Sequence, residues 1–145
     1  MKYYITDVNG NRVPVEGGGF LDITENVVAA KTLTVEDSGK YFRLVSAGTA
    51  GHNITLPALT KGLSYKFSLA KLTATTAWTI TCPTAVINGY VSVNYATIAA
   101  DSESLVTFAH AADTIGDWVE LKCNGTTWDI YGVGSLAGAI TVTAP

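Results

Sequence analysis

The chain has 145 residues, of which 48% are hydrophobic and only 14% are charged, and its formal net charge is −3. This length fits one domain with a sizeable core, while a charged fraction well below the roughly 25% of ordinary soluble domains predicts that apolar surface is buried in an oligomer. Because the charge is weakly negative and no cluster of Lys and Arg is present, the sequence argues against nucleic acid as a partner.

The N-terminal segment of the chain predicts a short β-hairpin. An Asn9-Gly10 turn separates the extended runs Tyr3–Thr6 and Arg12–Val15, and the triplet Gly17-Gly18-Gly19 follows as a joint. An isolated hairpin is only marginally stable in water, so this one needs a surface to pack against. Two interpretations stay open: an arm that attaches to another protein or to a neighbouring subunit, or a hairpin folded back on its own sheet.

Neither a secretion signal nor a membrane span is visible in the sequence. The N-terminus lacks the apolar region of a signal peptide, and no apolar run approaches the roughly 18 residues that cross a bilayer as a helix. We therefore expect a protein that is not secreted and does not contact a membrane.

The rest of the chain consists of extended runs bounded by turn residues, at the roughly ten-residue spacing of sandwiches and barrels. We predict an all-β domain at 32–145, an antiparallel β-sandwich that is jelly-roll-like or barrel-like, with the short hairpin arm at 1–31 before it. Turns are predicted at Asp37-Ser38-Gly39, Asn88-Gly89 and Asn124-Gly125. The predicted strands are Leu33–Glu36, Lys40–Val45, Asn53–Leu56, Leu63–Ala70, Ala77–Cys82, Val86–Asn94, Ser104–His110, Asp117–Cys123, Thr126–Gly132 and Ala139–Thr143.

The clearest element is the hairpin around Asn124-Gly125, because both of its arms alternate between an apolar face and a mixed face. Cys123 falls on the apolar face, and Cys82 falls on the apolar face of its own strand. Two cysteines are too few for a disulfide scaffold and match no zinc motif, so we predict buried, reduced thiols. A disulfide between them stays open, since it requires neighbouring strands with suitable geometry.

The sequence offers little for catalysis or for metal binding. Its two histidines, His52 and His110, lie near no nucleophile or carboxylate in a recognisable motif. The acidic residues that come in pairs fall at turns or in polar loops, where they bond the local backbone. We therefore predict no catalytic residue, no metal ligand and no cofactor; a calcium site at Asp101 or Asp113 would need a density of oxygen ligands that is not visible. The acidic pairs considered are Glu36 with Asp37, Asp101 with Glu103 in the loop ADSES, and Asp113 with Asp117.

Aromatic residues are better candidates for a functional surface than the histidines and acidic residues. Tyr41, Tyr90, Trp118 and Tyr131 fall on the face opposite the core set of their strands. Large rings on a solvent face commonly mark contact surfaces, and Trp and Tyr are enriched at subunit interfaces. We favour oligomer contacts for these four residues because the low charge already calls for buried surface. Stacking on sugar rings and exposed rings without a role stay open as alternatives.

Three segments of the chain resemble one protein family. They are the string LTVEDSGKYFRLVSAGTAGHNITLPAL, the following GLSYKFSLAK and the late GDWVELKCNGTTWDIYG, which together cover Leu33 to Gly132. They are similar to the small all-β head decoration or cement proteins of tailed bacteriophages, and to related modules of phage fibres. The shared motifs are an Asp-Ser-Gly turn, an Ile-Thr-Leu-Pro strand end and the Gly-Asp-Trp-Val-Glu-Leu hairpin, which encode turns and core strands.

The resemblance implies a non-enzymatic virion protein, made in the host bacterial cytoplasm. Such a protein binds the outer capsid surface, often as a homotrimer, and bridges subunits of the major capsid protein, so that many modest contacts add through avidity. The N-terminal arm could pair with a strand edge of the coat, where backbone hydrogen bonds supply affinity. We therefore expect Tyr3, Tyr4 and Ile5 to contact the capsid, and Tyr41, Tyr90, Trp118 and Tyr131 to contact neighbouring subunits.

A second function stays open, that of a receptor-binding or carbohydrate-binding module of a phage tail or head fibre. In this alternative Trp118, with Glu120 beside it on the same face, stacks on glycans. A polysaccharide-cleaving enzyme is the weakest alternative, because no pair of acids is recognisable.

Overall fold

Short β-strands are the main secondary structure of the chain. The computed structural model describes residues 3–6, 12–15, 23–45, 52–72, 76–110 and 112–144, the first two ranges as backbone only. A single 3-10 turn interrupts the strands at Val35–Asp37. The strands are β1 Tyr3–Thr6, β2 Arg12–Val15, β3 Thr24–Val27, β4 Lys31–Thr32, β5 Tyr41–Val45, β6 His52–Thr55, β7 Ser64–Lys71, β8 Trp78–Thr81, β9 Ile87–Val93, β10 Ala96–Glu103, β11 Leu105–Phe108, β12 Trp118–Cys123, β13 Trp128–Gly134 and β14 Ile140–Thr143.

Two sheets form a sandwich. The larger has seven strands in the order β10-β9-β13-β12-β7-β5-β3, and the smaller has five in the order β14-β11-β8-β6-β4. Buried and exposed positions alternate along most strands, for instance in β12 and β13, so that each sheet presents one face to the core. The predicted all-β sandwich is confirmed.

The sheets are mixed, whereas the sequence analysis expected antiparallel pairing throughout. From β3 to β8 the chain alternates between the two sheets, and each strand lies parallel to the strand two before it. A chain that crosses to the other sheet after every strand returns in the same direction, which makes the neighbours parallel. We call this part, residues 24–81, the coiled half.

The remainder, residues 87–143, is called the hairpin half because β9 with β10 and β12 with β13 form antiparallel hairpins. Antiparallel pairing of β12 with β7 and of β11 with β8 joins the two halves, one pair in each sheet. Strand β13 also lies parallel to β9. Both halves therefore contribute strands to both sheets and share one core.

Aromatic side chains fill the space between the sheets. Phe42 and Phe67 stack with ring centroids 5.3 Å apart, and Tyr65 meets Trp128 at 5.6 Å. These four rings and Trp78 are fully buried. Burial of one such side chain stabilises the fold by about 1.5–3 kcal/mol, so the rings contribute much of the free energy that packs the two sheets together. Cys82 and Cys123 are both buried and free, which confirms the predicted reduced thiols.

Three local predictions are wrong. The segment predicted as strand Leu33–Glu36 contains the 3-10 turn, in which Asp37 caps the backbone of Thr34. Asn88-Gly89 lies inside β9 instead of forming a turn. The glycine is required there by close packing, since a side chain at Gly89 would collide with the carbonyl oxygen of Ile130. The polar stretch ADSES belongs largely to β10, a strand at the edge of the sheet. An edge strand needs little alternation, since much of its surface stays in solvent.

The N-terminal strands β1 and β2 pair antiparallel with each other, with Tyr3 opposite Val15. They form a two-stranded sheet that shares no strand pairing with the two large sheets among the described residues. The predicted turn Asn9-Gly10 and the joint Gly17-Gly18-Gly19 lie outside the described residues. Strands β3 and β4 belong to the large sheets, so the strand order of the sandwich begins at Thr24, within the stretch 1–31 assigned to the arm.

Candidate functional site

The outer face of the seven-stranded sheet carries a row of large polar and aromatic side chains. Strand register aligns Tyr90, Tyr131, Glu120, Lys66 and Tyr41 across five neighbouring strands, each directly opposite the next. Directly opposed side chains on one sheet face stand close enough to contact each other. We call this set the aromatic row.

One end of the aromatic row is a pair of tyrosines. The rings of Tyr90 and Tyr131 meet edge to face, with centroids 5.6 Å apart and planes at 89°. Both side chains are nonetheless exposed, at 52% and 42% of their full surface. Edge-to-face pairs contribute about 0.5–1.5 kcal/mol beyond their area, so the two rings hold each other in place and leave apolar surface for a partner.

The other end of the aromatic row holds an ammonium group between two rings. Lys66 Nζ lies 4.8 Å from the ring centroid of Trp118 and 5.7 Å from that of Tyr41. The Tyr41 hydroxyl and Ser68 Oγ form a hydrogen bond of 2.5 Å, which fixes the Tyr41 ring against the sheet. Trp118 occupies the next row of the same face, opposite Ser68. Cation–π contact at an exposed site is worth about 0.5–1 kcal/mol, enough to orient these side chains.

A shallow hollow of about 330 Å³ opens beside this end of the row. Its lining combines an aromatic ring, two ammonium groups, one carboxylate and a hydroxyl. This is a set of groups that can hydrogen-bond and stack on a polar ligand. Glu120, on one side of the hollow, pairs with Lys122 at 3.4 Å. The lining residues are Gly39, Lys40, Tyr41, Ser64, Lys66 and Glu120.

The structure brings together the four residues predicted for subunit contacts. Tyr41, Tyr90, Trp118 and Tyr131 all lie on the outer face of one sheet, as the alternation of their strands predicts. Tyr90 pairs with Tyr131, while Tyr41 and Trp118 are linked through Lys66. Their role as subunit contacts stays a prediction.

The residues predicted for capsid contact, Tyr3, Tyr4 and Ile5, lie on β1. Their side chains lie outside the described residues, and their role stays a prediction. Tyr95, a fully exposed ring at the tip of the β9–β10 hairpin, is not among the residues predicted from the sequence. An aromatic residue directly after Asn94 is the only sequence signal for it, because the predicted strand Val86–Asn94 ends just before it.

The histidines do not form a catalytic group with other residues in the described part of the chain. The His52 ring packs against Trp78 with centroids 4.8 Å apart, and His110 is an exposed residue beyond the end of β11. Asp117 is buried and accepts hydrogen bonds from the backbone of Thr114 and Ser135 and from the Ser135 hydroxyl. Asp117 thus serves the local backbone, as predicted for turn carboxylates.

Four charged residues form an ion-pair network at the β3 and β4 end of the sandwich. Lys31 pairs with Glu25, and Lys40 Nζ lies 2.5 Å from Asp37 Oδ1 and 3.4 Å from Glu25 Oε2. The hydrogen bond from Lys31 lowers the pKa of Glu25. Burial opposes the charge of Asp37, but hydrogen bonds from Lys40 and from the Thr34 backbone lower the pKa of that carboxyl below its ordinary value.

The network also affects a core tyrosine. The Tyr65 hydroxyl donates to the Thr34 carbonyl oxygen at 2.8 Å. Burial and the nearby charge of Asp37 raise the pKa of Tyr65 to about 12. Tyr65 therefore stays neutral at physiological pH and links the 3-10 turn to the core as a hydrogen-bond donor.

Within the ranges that the structure describes, no group of three or more His, Cys, Asp or Glu side chains could hold a metal ion. No helix in those ranges is long and apolar enough to span a membrane. A scan against models of protein families finds no match to the chain, and a search of curated proteins finds none either.

Proposed function

We propose that the protein is a non-enzymatic structural protein of a bacteriophage virion that binds the outer capsid surface and bridges coat subunits. The observation that carries this proposal is the aromatic row, on a sheet face with paired, exposed rings at one end and an ammonium group between two rings at the other. Sheet faces with Tyr and Trp side chains suit contacts with proteins, and charged residues are sparse in the whole chain. The assignment to a virion rests on the resemblance of residues 33–132 to phage head decoration proteins.

Self-association is part of the proposal. The exposed Tyr90 and Tyr131 supply apolar surface that a neighbouring subunit would cover, and closed homo-oligomers such as trimers are a common way to do so. A trimer would also present three copies of every capsid contact. Weak contacts then add, because the second and third engage at high effective concentration.

The arm supplies a second kind of contact. Strands β1 and β2 pair only with each other among the described strands, and a two-stranded hairpin is marginal unless it packs on something larger. Addition of this hairpin to a strand edge of the coat protein would stabilise both partners through backbone hydrogen bonds.

The test is binding of the purified protein to capsids assembled without it, followed by sedimentation of the capsids. We expect saturable binding, and loss of most of it in the double variant Tyr90→Ala/Tyr131→Ala. The control is Ile115→Ala, which removes an exposed apolar side chain from a turn outside the aromatic row. A version that begins at residue 23, just before β3, tests the arm without removing a strand of either large sheet. Absence of binding by the full chain would contradict the proposal.

A carbohydrate-binding or receptor-binding module of a phage fibre is the second candidate, and the hollow beside Tyr41 favours it. Its aromatic, ammonium, carboxylate and hydroxyl groups are the kinds that recognise sugar rings and their substituents. The test is binding to host cells and to an array of bacterial glycans. Trp118→Ala and Lys66→Ala should each abolish that binding if it takes place here, whereas Tyr95→Ala, far from the hollow in the strand order, should leave it unchanged.

A further inference from the structure

Strand β10 is an open edge of the seven-stranded sheet. It has eight residues and pairs only with β9 among the described strands. Ala96, Thr97 and Ala99 are exposed, and the stretch from Ala96 to Ala100 contains neither a charged residue nor a proline. Natural proteins normally protect such edges with charges or prolines, because an unpaired strand edge can pair with another chain.

The opposite edge of the same sheet shows that protection. Strand β3 has four residues and carries Glu25, which lies in the ion-pair network with Lys31 and Lys40. A short strand with charged side chains is a poor template for another strand. In β10 the corresponding features, Asp101, Glu103 and a register irregularity around Ser102, are confined to the C-terminal end of the strand. The two edges of one sheet therefore differ, because β10 leaves the stretch from Ala96 to Ala100 open for pairing.

The hairpin geometry identifies the groups that β10 presents. Asn94 and Tyr95 both have positive φ, 48° and 65°, which defines a two-residue turn with Val93 opposite Ala96 as the hydrogen-bonded pair. Hydrogen bonding to β9 alternates along the strand from there. Thr97 and Ala99 consequently direct their N–H and C=O groups away from β9, towards the open edge.

We propose that two copies of this chain pair through β10, antiparallel and around a two-fold axis at Ile98. In this register Thr97 of one copy lies opposite Ala99 of the other, and the reverse, so that all four outward N–H and C=O groups of these residues in each copy are used. The side chains of Thr97 and Ala99 lie on the same outer face in both copies, as continuous sheets require. The two sandwiches would share one continuous sheet.

The charges and rings at the ends of β10 favour a second copy as the partner. With the axis at Ile98, Ala96 of one copy lies opposite Ala100 of the other, so the turn residue Tyr95 and the exposed Asp101, which come next along the chain, are brought to the same end of the paired strands. There the phenol hydroxyl can donate to the carboxylate. A parallel arrangement would instead place Asp101 beside Asp101, and like charges opposite each other are destabilising. The antiparallel arrangement also covers Tyr95, whose left-handed backbone conformation is unfavourable for a tyrosine.

Covalent capture tests the register. Ile98→Cys would place two cysteines face to face at a non-hydrogen-bonded position, with Cα atoms about 4.5 Å apart, within the range of a disulfide. We expect a disulfide-linked dimer on a non-reducing gel after mild oxidation. Cys82 and Cys123 are buried and should not react. The matched control is Ala96→Cys, whose partner in this register is Ala100; equal cross-linking of both variants, or of neither, would overturn the proposal.

Weakened pairing provides the second test. Ala99→Pro removes one outward N–H from each copy, at an edge position where proline is tolerated. Two lost hydrogen bonds, each worth roughly fivefold, should raise the dissociation constant of the two-fold contact about 25-fold in analytical ultracentrifugation. The control Ala99→Ser keeps the N–H and should dissociate like the unchanged chain. If the solution mass of Ala99→Pro equals that of the unchanged chain at every concentration, the proposal is refuted, whatever the outcome of the capsid-binding assay.

Discussion

The coiled half and the hairpin half bury side chains in one core, but they connect their strands in different ways. In the coiled half every strand is followed by a crossing to the other sheet, and neighbours such as β5 and β7 are parallel. In the hairpin half the chain turns back directly from β9 to β10 and from β12 to β13, and these neighbours are antiparallel. Similar alternation of apolar residues serves both halves, so alternation indicates which face of a strand is buried but not which strand lies beside it.

The two halves also differ in the side chains that stabilise their turns. The turn Asp37-Ser38-Gly39 of the coiled half depends on a buried, ion-paired carboxylate, that of Asp37. The turn Asn124-Gly125 of the hairpin half depends on a neutral amide, since Asn124 Oδ1 accepts hydrogen bonds from the backbone of Thr126 and Thr127. The first turn is therefore sensitive to pH. In the second turn the Asn124 side-chain amide also donates to the Asp129 carboxylate.

The largest loss of stability is expected for substitutions of two buried tryptophans, which test whether the halves unfold together. Trp78 belongs to the coiled half and Trp128 to the hairpin half, and both are fully buried. Trp78→Ala and Trp128→Ala should each lower the free energy of unfolding by about 3–5 kcal/mol, because each leaves a large cavity in the shared core. Urea denaturation followed by circular dichroism should give a single transition for each variant. Two separate transitions would show that the halves are independent units.

The next largest effect is expected where glycines are replaced by alanine. We compare a glycine that is required by close packing with one that is required by its backbone angle. A Cβ atom at Gly132 in β13 would lie 2.5 Å from the Trp118 carbonyl oxygen, so Gly132→Ala should cost about 2–3 kcal/mol. Gly39 has a φ of +84° and open space around it, so Gly39→Ala should cost about 1 kcal/mol from backbone strain alone. Thermal denaturation of both variants measures the difference; an equal loss would show that the β12–β13 pair can move apart.

The charged turn of the coiled half should respond to the loss of one carboxylate. Asp37→Asn removes a charge that accepts hydrogen bonds from the Thr34 backbone and from Lys40, and we expect a loss of about 1–3 kcal/mol. Glu36→Gln is the matched control because Glu36 is its exposed neighbour, and it should change stability by less than about 0.5 kcal/mol. Urea denaturation at pH 7 measures both variants.

The same turn predicts how stability varies with pH. The folded pKa values of Glu25 and Asp37 lie below their ordinary values of 4.5 and 3.8, so the folded state holds fewer protons than the unfolded chain near these values. Their stabilisation is complete above about pH 5 and is lost as the pH falls below the ordinary values and through the lowered ones. Asp37→Asn should flatten this acid limb of the stability curve, and an unchanged limb would refute the role of the network.

The smallest effect belongs to the neutral turn of the hairpin half. Asn124→Ala should cost about 1 kcal/mol, because it removes the acceptor of the Thr126 and Thr127 amides at an exposed site. Thr126→Ala, which loses only a hydroxyl contact to the same oxygen, is the control and should cost less in urea denaturation at pH 7. An equal cost for the two variants would contradict this role of the Asn124 side chain.

Most of the strands and the inward faces could be predicted from the sequence, because burial imposes alternation on them. The outward position of Tyr41, Tyr90, Trp118 and Tyr131 followed from the same rule. Their alignment in one row could not be predicted, since it depends on which strands are neighbours. The parallel pairs of the coiled half gave no local signal for this, whereas Asn124-Gly125 marked its hairpin directly. Strand β10 was missed because its small and acidic residues are poor strand formers.

The parallel pair of β9 and β13 has a consequence for the order of folding. Cys123 and Trp128, at the end of the β12–β13 hairpin, are only 128 − 123 = 5 positions apart, whereas Ile87 and Trp128 in the parallel pair are 128 − 87 = 41 positions apart. A short loop closes with little loss of chain entropy, and hairpins form in about 1–10 μs, while distant contacts form later. We expect the two hairpins to form early, and the pairing of strands that are distant in sequence, β9 with β13 and β7 with β12, to limit the rate of folding.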